Sequence, residues 1–287
     1  MNKLSKTILV TIISVILAIS CLVSLVACNK TTEDSVNYVD YSKDNNYEVQ
    51  TDYYLMNPEA EDFEQYGLQV SYPKDITPKY GLIFFVGTAI GPSFYEYLNT
   101  ALAKQGYVVI MPDVTLCMTY LNYEEETIPC VNKGKSLFPN VQFFVGGHSQ
   151  GGGAAMRYAV ENESSMLGAI FMSPLCYEEH EVTKNGQTVM QFDTLTNSSL
   201  PTLLLEASND NVLDDNMKAD SLSRIPQVYE HHMITPGAHM SFSTGDSDDI
   251  LAMFNGDGDG ITQAQKDKQR ADTLTYVMAF IKGKLPN

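Results

Sequence analysis

The sequence predicts an α/β fold, a mostly parallel central sheet with helices on both faces. Three observations carry that reading. Short apolar runs such as Leu82–Val86, Val141–Val145 and Leu203–Ala207 recur along the chain, and segments with helical spacing of apolar residues separate them. About 240 residues follow a polar amino-terminal stretch, the size of one larger α/β domain, and no internal repeat divides them. Between Val141 and Ala159 the chain passes from a strand-like run to a helix-like one through five glycines grouped around a single serine.

The elements follow in order. Lys3 and Lys6 precede an uncharged run from Thr7 to Cys28, the layout of a secretory signal. Ile8 to Ala27 is also long enough to span a bilayer as an uncleaved anchor. Either reading keeps the lysines inside and places the rest of the chain outside the cytoplasm. Leu25-Val26-Ala27-Cys28 resembles a bacterial lipobox, which implies cleavage before Cys28 and lipidation of its thiol. Cys21 has Ala18 where a larger aliphatic is usual. A diacylglyceryl group plus an N-acyl chain exceeds what stable anchoring needs. Residues 1–27 are therefore read as a lipoprotein signal peptide, residues 28–46 as a flexible tether and residues 47–287 as the folded domain of a cell-envelope protein.

In the domain, Tyr47–Met56 and Gly67–Tyr72 read as early strands paired antiparallel, and Leu82–Val86 as a central strand. Ser93–Gln105 reads as a helix stopped by Gly106, and Tyr107–Met111 as the next strand. Tyr123–Phe138 is helical in pattern, with Pro129 interrupting or kinking it. Val141–Val145, a helix from Gln150, and strands at Leu167–Met172, Leu203–Ala207 and Val228–Ile234 follow. Thr262 and Gln265 have capping-box spacing at the start of a helix running to Lys284. Ser173–Leu200 is an insertion, and Asn185-Gly186 between extended runs predicts a small β-hairpin cap there.

A formal charge of −17 argues against nucleic acid and polyanionic partners, and favours neutral or cationic small molecules. Cys117, Cys130 and Cys176 lack the C-x-x-C spacing of zinc sites or a disulfide framework, and read as free thiols, with a Cys117–Cys130 bridge as the alternative.

Gly147-His148-Ser149-Gln150-Gly151 fits G-x-S-x-G between a strand and a helix, the arrangement of a nucleophile elbow. The motif arises by accident in roughly one chain in ten of this length, so the strand–turn–helix context gives it weight. The turn exposes Ser149 at the top of the sheet, beside a helix dipole that favours negative charge. A serine nucleophile needs a base and an acid, in the chain order Ser, Asp or Glu, His. Asp210 lies just past the run Leu203–Ala207, whereas Glu206 is still in the strand and Asp214 and Asp215 read as a helix's first turn. His239 follows the last strand in a loop, as the base should. His148 lies inside the elbow and points away from the hydroxyl, and His180 lies in the insertion. His231 and His232 lie within a strand, where alternation is expected to bury one of them.

The segments GLIFFVGTAIGPSFYEYLNTALAKQGYVVIMPD, FFVGGHSQGGGAAMRYA, PTLLLEASNDNV and ITPGAHMSF together resemble the α/β-hydrolase superfamily, most of all its dienelactone-hydrolase-like and esterase or lipase branches. The similarity covers most of residues 67 to 284. It implies Ser149 as nucleophile, Asp210 as acid and His239 as general base, with no metal or organic cofactor. The family's His-Gly oxyanion motif is replaced by Val86-Gly87-Thr88, so the backbone N–H groups of Thr88 and Gln150 are expected to form the oxyanion hole. The function expected is cleavage of small to medium carboxylic esters. The alternatives are a non-catalytic envelope binding protein on the same fold and an amidase or peptidase. Asn255–Gly260 matches half of a calcium-binding EF-hand loop, but Lys266 stands where a bidentate Glu belongs, so it reads as an acidic loop.

Overall fold

The computed structural model describes residues 46–74, 76–176, 179–184, 187–245 and 257–285. The leader with Cys28, the tether, Asn185-Gly186 and Asn255-Gly256 lie outside the described residues.

Among the described residues the fold has ten strands and five α-helices: β1 (Val49–Leu55), β2 (Gly67–Pro73), β3 (Tyr80–Phe85), α1 (Glu96–Lys104), β4 (Val108–Asp113), α2 (Ile128–Leu137), β5 (Gln142–His148), α3 (Gln150–Asn162), β6 (Met166–Met172), β7 (Glu179–Lys184), β8 (Gln187–Phe192), β9 (Thr202–Ala207), α4 (Asp215–Leu222), β10 (Glu230–Ile234) and α5 (Gln263–Lys284). Eight of the strands form one sheet in the order β1-β2-β4-β3-β5-β6-β9-β10. β2 runs antiparallel to β1 and β4, and every other pairing is parallel.

The run of β3 is continuously apolar because both faces of the sheet are covered. Leu82 and Phe84 pack on one side with Leu98 and Leu102 of α1 and Val277, Phe280 and Ile281 of α5. Ile83 and Phe85 pack on the other with Val131 of α2 and Ala154, Ala155 and Tyr158 of α3. The capping box on α5 forms, with the Thr262 hydroxyl accepting from the Gln265 N–H and the Gln265 carboxamide from the Thr262 N–H. Among the described residues no helix is long and apolar enough to cross a membrane.

The helical stretch expected at Tyr123–Phe138 is divided beside Pro129: a π-type turn at Tyr123–Thr127 passes into α2 at Ile128, with Pro129 in the first turn of α2, where its missing N–H costs little. Two expectations are adjusted. The first expected helix begins as a 3-10 turn at Pro92–Tyr95 before α1. Neither His231 nor His232 is buried, because β10 is the edge of the sheet: His231 pairs with Glu206 at 2.7 Å, and His232 stacks on Tyr276 with ring centres 3.8 Å apart.

β7 and β8 pair antiparallel as the expected hairpin, with Lys184 opposite Gln187. It projects from the carboxyl end of β6, while Cys176, Leu195 and Leu200 at the roots of the insertion are buried in the core.

Candidate active site

β5 brings the chain to Ser149, and α3 leaves from it. Ser149 has φ 55° and ψ −126°, a conformation that costs an L-residue free energy and is held here by its surroundings. Its N–H donates to Met172 O at 3.0 Å, and its carbonyl accepts from Gly152 and Leu175 at 2.8 Å each. The turn tolerates no Cβ on its flanks: one on Gly147 would lie 2.1 Å from Gly151 O, and one on Gly151 2.2 Å from Phe85 O. The glycines of the elbow are thus a steric necessity of the backbone crossing.

β9 delivers Asp210 and the loop after β10 delivers His239, and the two meet. His239 Nδ1–H donates to Asp210 Oδ2 at 2.8 Å, with both side chains almost wholly buried. Asp210 Oδ1 accepts from the N–H groups of Val212 and Leu213 at 3.1 and 3.0 Å. Burial alone would push the Asp210 carboxyl up, but the hydrogen bond and charge of His239, the Leu213 N–H and Lys218 together hold it at about 2. An ionised Asp210 fixes the proton of His239 on Nδ1 and leaves Nε2 as the basic atom. That Nε2 is buried with no hydrogen-bond partner, so the Ser149 hydroxyl is not yet bonded to it.

His148 is 1% exposed, and both of its ring nitrogens are engaged by groups other than Ser149. Its Nε2–H donates to the His239 carbonyl at 3.0 Å, and its Nδ1 accepts from Tyr95 Oη at 2.7 Å. Tyr95 Oη in turn accepts the Gly87 N–H at 3.1 Å. Burial first, and the neighbouring His239 second, hold the His148 pKa well below the ordinary histidine value, so the ring is neutral.

Thr88 lies in a turn closed by Ile90 N–H to Gly87 O at 3.2 Å, with Ala89 at φ 62°. As the first helical residue, Gln150 has an N–H with no partner inside α3. A cavity of about 100 Å³ opens beside the acid, bordered by Ser173, Glu206, Asp210, Leu213, Lys218 and Met233. Neither Ser149 nor His239 lines it, and among the described residues none of the hairpin does.

Sequence reasoning missed Asp257. Its Oδ1 accepts the N–H of Asn211 at 3.1 Å and of His239 at 3.2 Å, and its Oδ2 the N–H of Met240 at 2.8 Å. In the sequence it belongs to the acidic run Asn255–Gly260, and its spacing carries no signal of these contacts. Both of its oxygens are engaged by backbone donors. Among the described residues no group of three or more His, Cys, Asp or Glu side chains is arranged to hold a metal. Cys117, Cys130 and Cys176 are free thiols.

A family model described as the alpha/beta hydrolase family matches residues 81–269. The esterase domain of a Rhodothermus marinus protein aligns with TM-score 0.48 and 17% identity, over 73% of this chain and 96% of that one. No curated protein matches the chain.

Proposed function

The chain belongs to the α/β-hydrolase family, and from that premise we propose that it is a serine hydrolase cleaving carboxylic esters of small to medium size. The observation that carries the reading is the buried 2.8 Å contact of Asp210 with His239, in an order and at strand ends that match the strained Ser149.

In this reading Ser149 Oγ attacks the acyl carbon while its proton passes to His239 Nε2, the buried atom with no partner of its own. Asp210 holds the imidazole in the tautomer that makes Nε2 basic and stabilises the imidazolium that forms. The tetrahedral oxyanion is received by the N–H groups of Thr88 and Gln150, and one such donor is worth about a hundredfold or more in rate. The C–O bond to the alcohol breaks, and the alcohol takes the proton from His239. Water then attacks the acyl-enzyme, giving its proton to the same nitrogen, and the carboxylic acid leaves with Ser149 restored. No step calls for a metal or organic cofactor. The fold does not choose among glycan acetyl esters, lipids and lactones, because the pocket decides the substrate.

The lipobox-like Leu25–Cys28 and the polar residues 29–46 support a tethered enzyme at the outer face of a bacterial membrane, lipidated on Cys28. Cys28→Ala should release it from the membrane fraction and abolish labelling with an alkynyl fatty acid.

The decisive experiment pairs a fluorophosphonate probe with p-nitrophenyl esters of rising chain length. The probe should label Ser149 alone, and Ser149→Ala should lose labelling and hydrolysis at an unchanged melting temperature. Ester turnover surviving in that variant would overturn the assignment. A wild-type protein that neither labels nor turns over any ester would favour a binding protein on the same fold, and amide hydrolysis exceeding ester hydrolysis an amidase.

A further inference from the structure

The main chain of His239 is gripped from both sides by buried side chains that the hydrolytic reaction itself does not use. On one side His148 Nε2–H donates to the His239 carbonyl at 3.0 Å. On the other, Asp257 accepts the His239 N–H at 3.2 Å and the Met240 N–H at 2.8 Å. Asp257 is 0% exposed, and the oxygen that takes the His239 N–H also takes the N–H of Asn211, the residue after Asp210. One carboxylate therefore joins the loop of the acid to the loop of the base. Among the described residues, the segment 257–260 that leads from it into α5 makes no other hydrogen bond to either loop that would do the same. Gln269 of α5 holds the neighbouring Ala238 through both its N–H and its carbonyl, so the register of that loop is fixed independently of Asp257.

Building on the serine-hydrolase reading, we infer that Asp257 is a positioning residue for His239: by holding its main chain to the loop of Asp210 it sets the distance and angle of the imidazole against Asp210 and Ser149. Two physical points support this. Three backbone donors on a buried carboxylate make a rigid joint, since each charge-assisted hydrogen bond is stronger than a neutral one. A general base delivers its rate only when its nitrogen is held within a fraction of an ångström of the hydroxyl. Among the described residues, the charged and titratable groups around His239 are Asp210 from the β9 loop, the neutral His148 from β5 with Tyr95 behind it, Asp257, and, more remotely, Lys218 on the Asp210 carbonyl and Arg270 on the Ser243 carbonyl.

The test uses the full chain with Asp257→Asn and Asp257→Glu. Competent sites are counted by fluorophosphonate burst, so that loss of folded enzyme is separated from loss of rate. Asp257→Asn keeps one acceptor oxygen but turns an N–H toward Met240 and removes the charge. Per competent site its kcat should fall about tenfold or more with KM within twofold. Asp257→Glu displaces the carboxylate by one methylene, so it too should lose kcat. A wild-type kcat in Asp257→Asn would overturn the inference. So would fewer competent sites that each turn over at the wild-type rate, since that is a fold effect only. If Asp257→Asn does not fold, a wild-type kcat in Asp257→Glu overturns it equally. The far-downfield proton of the His239–Asp210 hydrogen bond, read by NMR without substrate, separates the two claims. Its displacement in Asp257→Asn supports the joint even if no ester is turned over, and its indifference counts against the joint even in an active esterase.

Discussion

Two aspartates four residues apart show how narrowly a role is set. Asp210 turns one oxygen to the Val212 and Leu213 N–H groups and the other to His239. Asp214 accepts the Met217 N–H at 2.8 Å and caps α4 at the surface. Asp210→Asn should therefore keep the loop but present an amide to His239, force the wrong tautomer and lower kcat by about 10⁴-fold. Asp214→Ala should cost about 1 kcal/mol of stability as a lost cap and leave kcat unchanged. Urea melts and p-nitrophenyl acetate kinetics on both variants check the pair, and a dead Asp214→Ala would move the acid by a turn. Ser149, Asp210 and His239 stand out in the sequence because each residue type falls in a loop at a strand's carboxyl end, where local pattern is informative. Asp257 and His148 do not, because their roles are contacts between elements. Asp257 reaches back 46 residues to Asn211, and His148 reaches forward 91 residues to the His239 carbonyl. No spacing rule anticipates such partners.

Strands buried on both faces announce themselves by unbroken apolar runs, and β3, β5 and β9 fall where those runs lie. β10 is less legible: its Glu-His-His-Met sequence suggests alternation, yet an edge strand at the rim of the sheet leaves Glu230, His231 and Met233 exposed and His232 half-buried on Tyr276. The hairpin is legible from Asn185-Gly186 but its anchoring is not. Val189, Met190 and Phe192 of β8 are exposed, and among the described residues the Arg224 guanidinium lies 3.8 Å above the Phe192 ring. Leu195, in contrast, is 2% exposed and its N–H donates to Arg224 O at 2.7 Å. The two halves of the insertion should respond differently to deletion. Replacing 179–192 with a short Gly-Ser linker should leave the melting temperature and acetate-ester turnover near wild type. If the apolar β8 side chains meet the acyl chain, KM should rise for longer esters, at about 0.8 kcal/mol per CH₂ no longer buried. Extending the cut to 198 removes Leu195 and should cost about 2–5 kcal/mol. Equal loss on every ester from the shorter cut would make the hairpin a support for the fold.

At the scale of the molecule, charge sets how stability answers to pH. The chain carries 35 acidic against 18 basic side chains, so self-repulsion weakens the folded state at neutral pH and eases as pH falls toward the isoelectric point near 4.5. Two buried carboxylates add opposite slopes. Burial, assisted by Glu161 and opposed by Arg157 and Arg224, raises the Asp193 carboxyl to about 6. Its folded pKa lies above its unfolded one, so its contribution is complete below about pH 4 and is lost as pH rises through 6. Asp210, held at about 2, behaves inversely: its contribution is present above about pH 4 and is lost as pH falls toward 2. The melting temperature should therefore peak near pH 5, fall on both sides, and rise with added salt at pH 8 more than at pH 5, where little net charge remains to be screened. Asp193→Asn removes one cause of the alkaline decline without removing the side chain's volume. It should stabilise the protein at pH 8 by about 1–2 kcal/mol, a few degrees in melting temperature, and change little at pH 4. Calorimetric scans of both proteins between pH 3 and 9 decide it: curves that stay parallel across the whole range would show that Asp193 is ionised in the fold with its arginine neighbours fully compensating the burial.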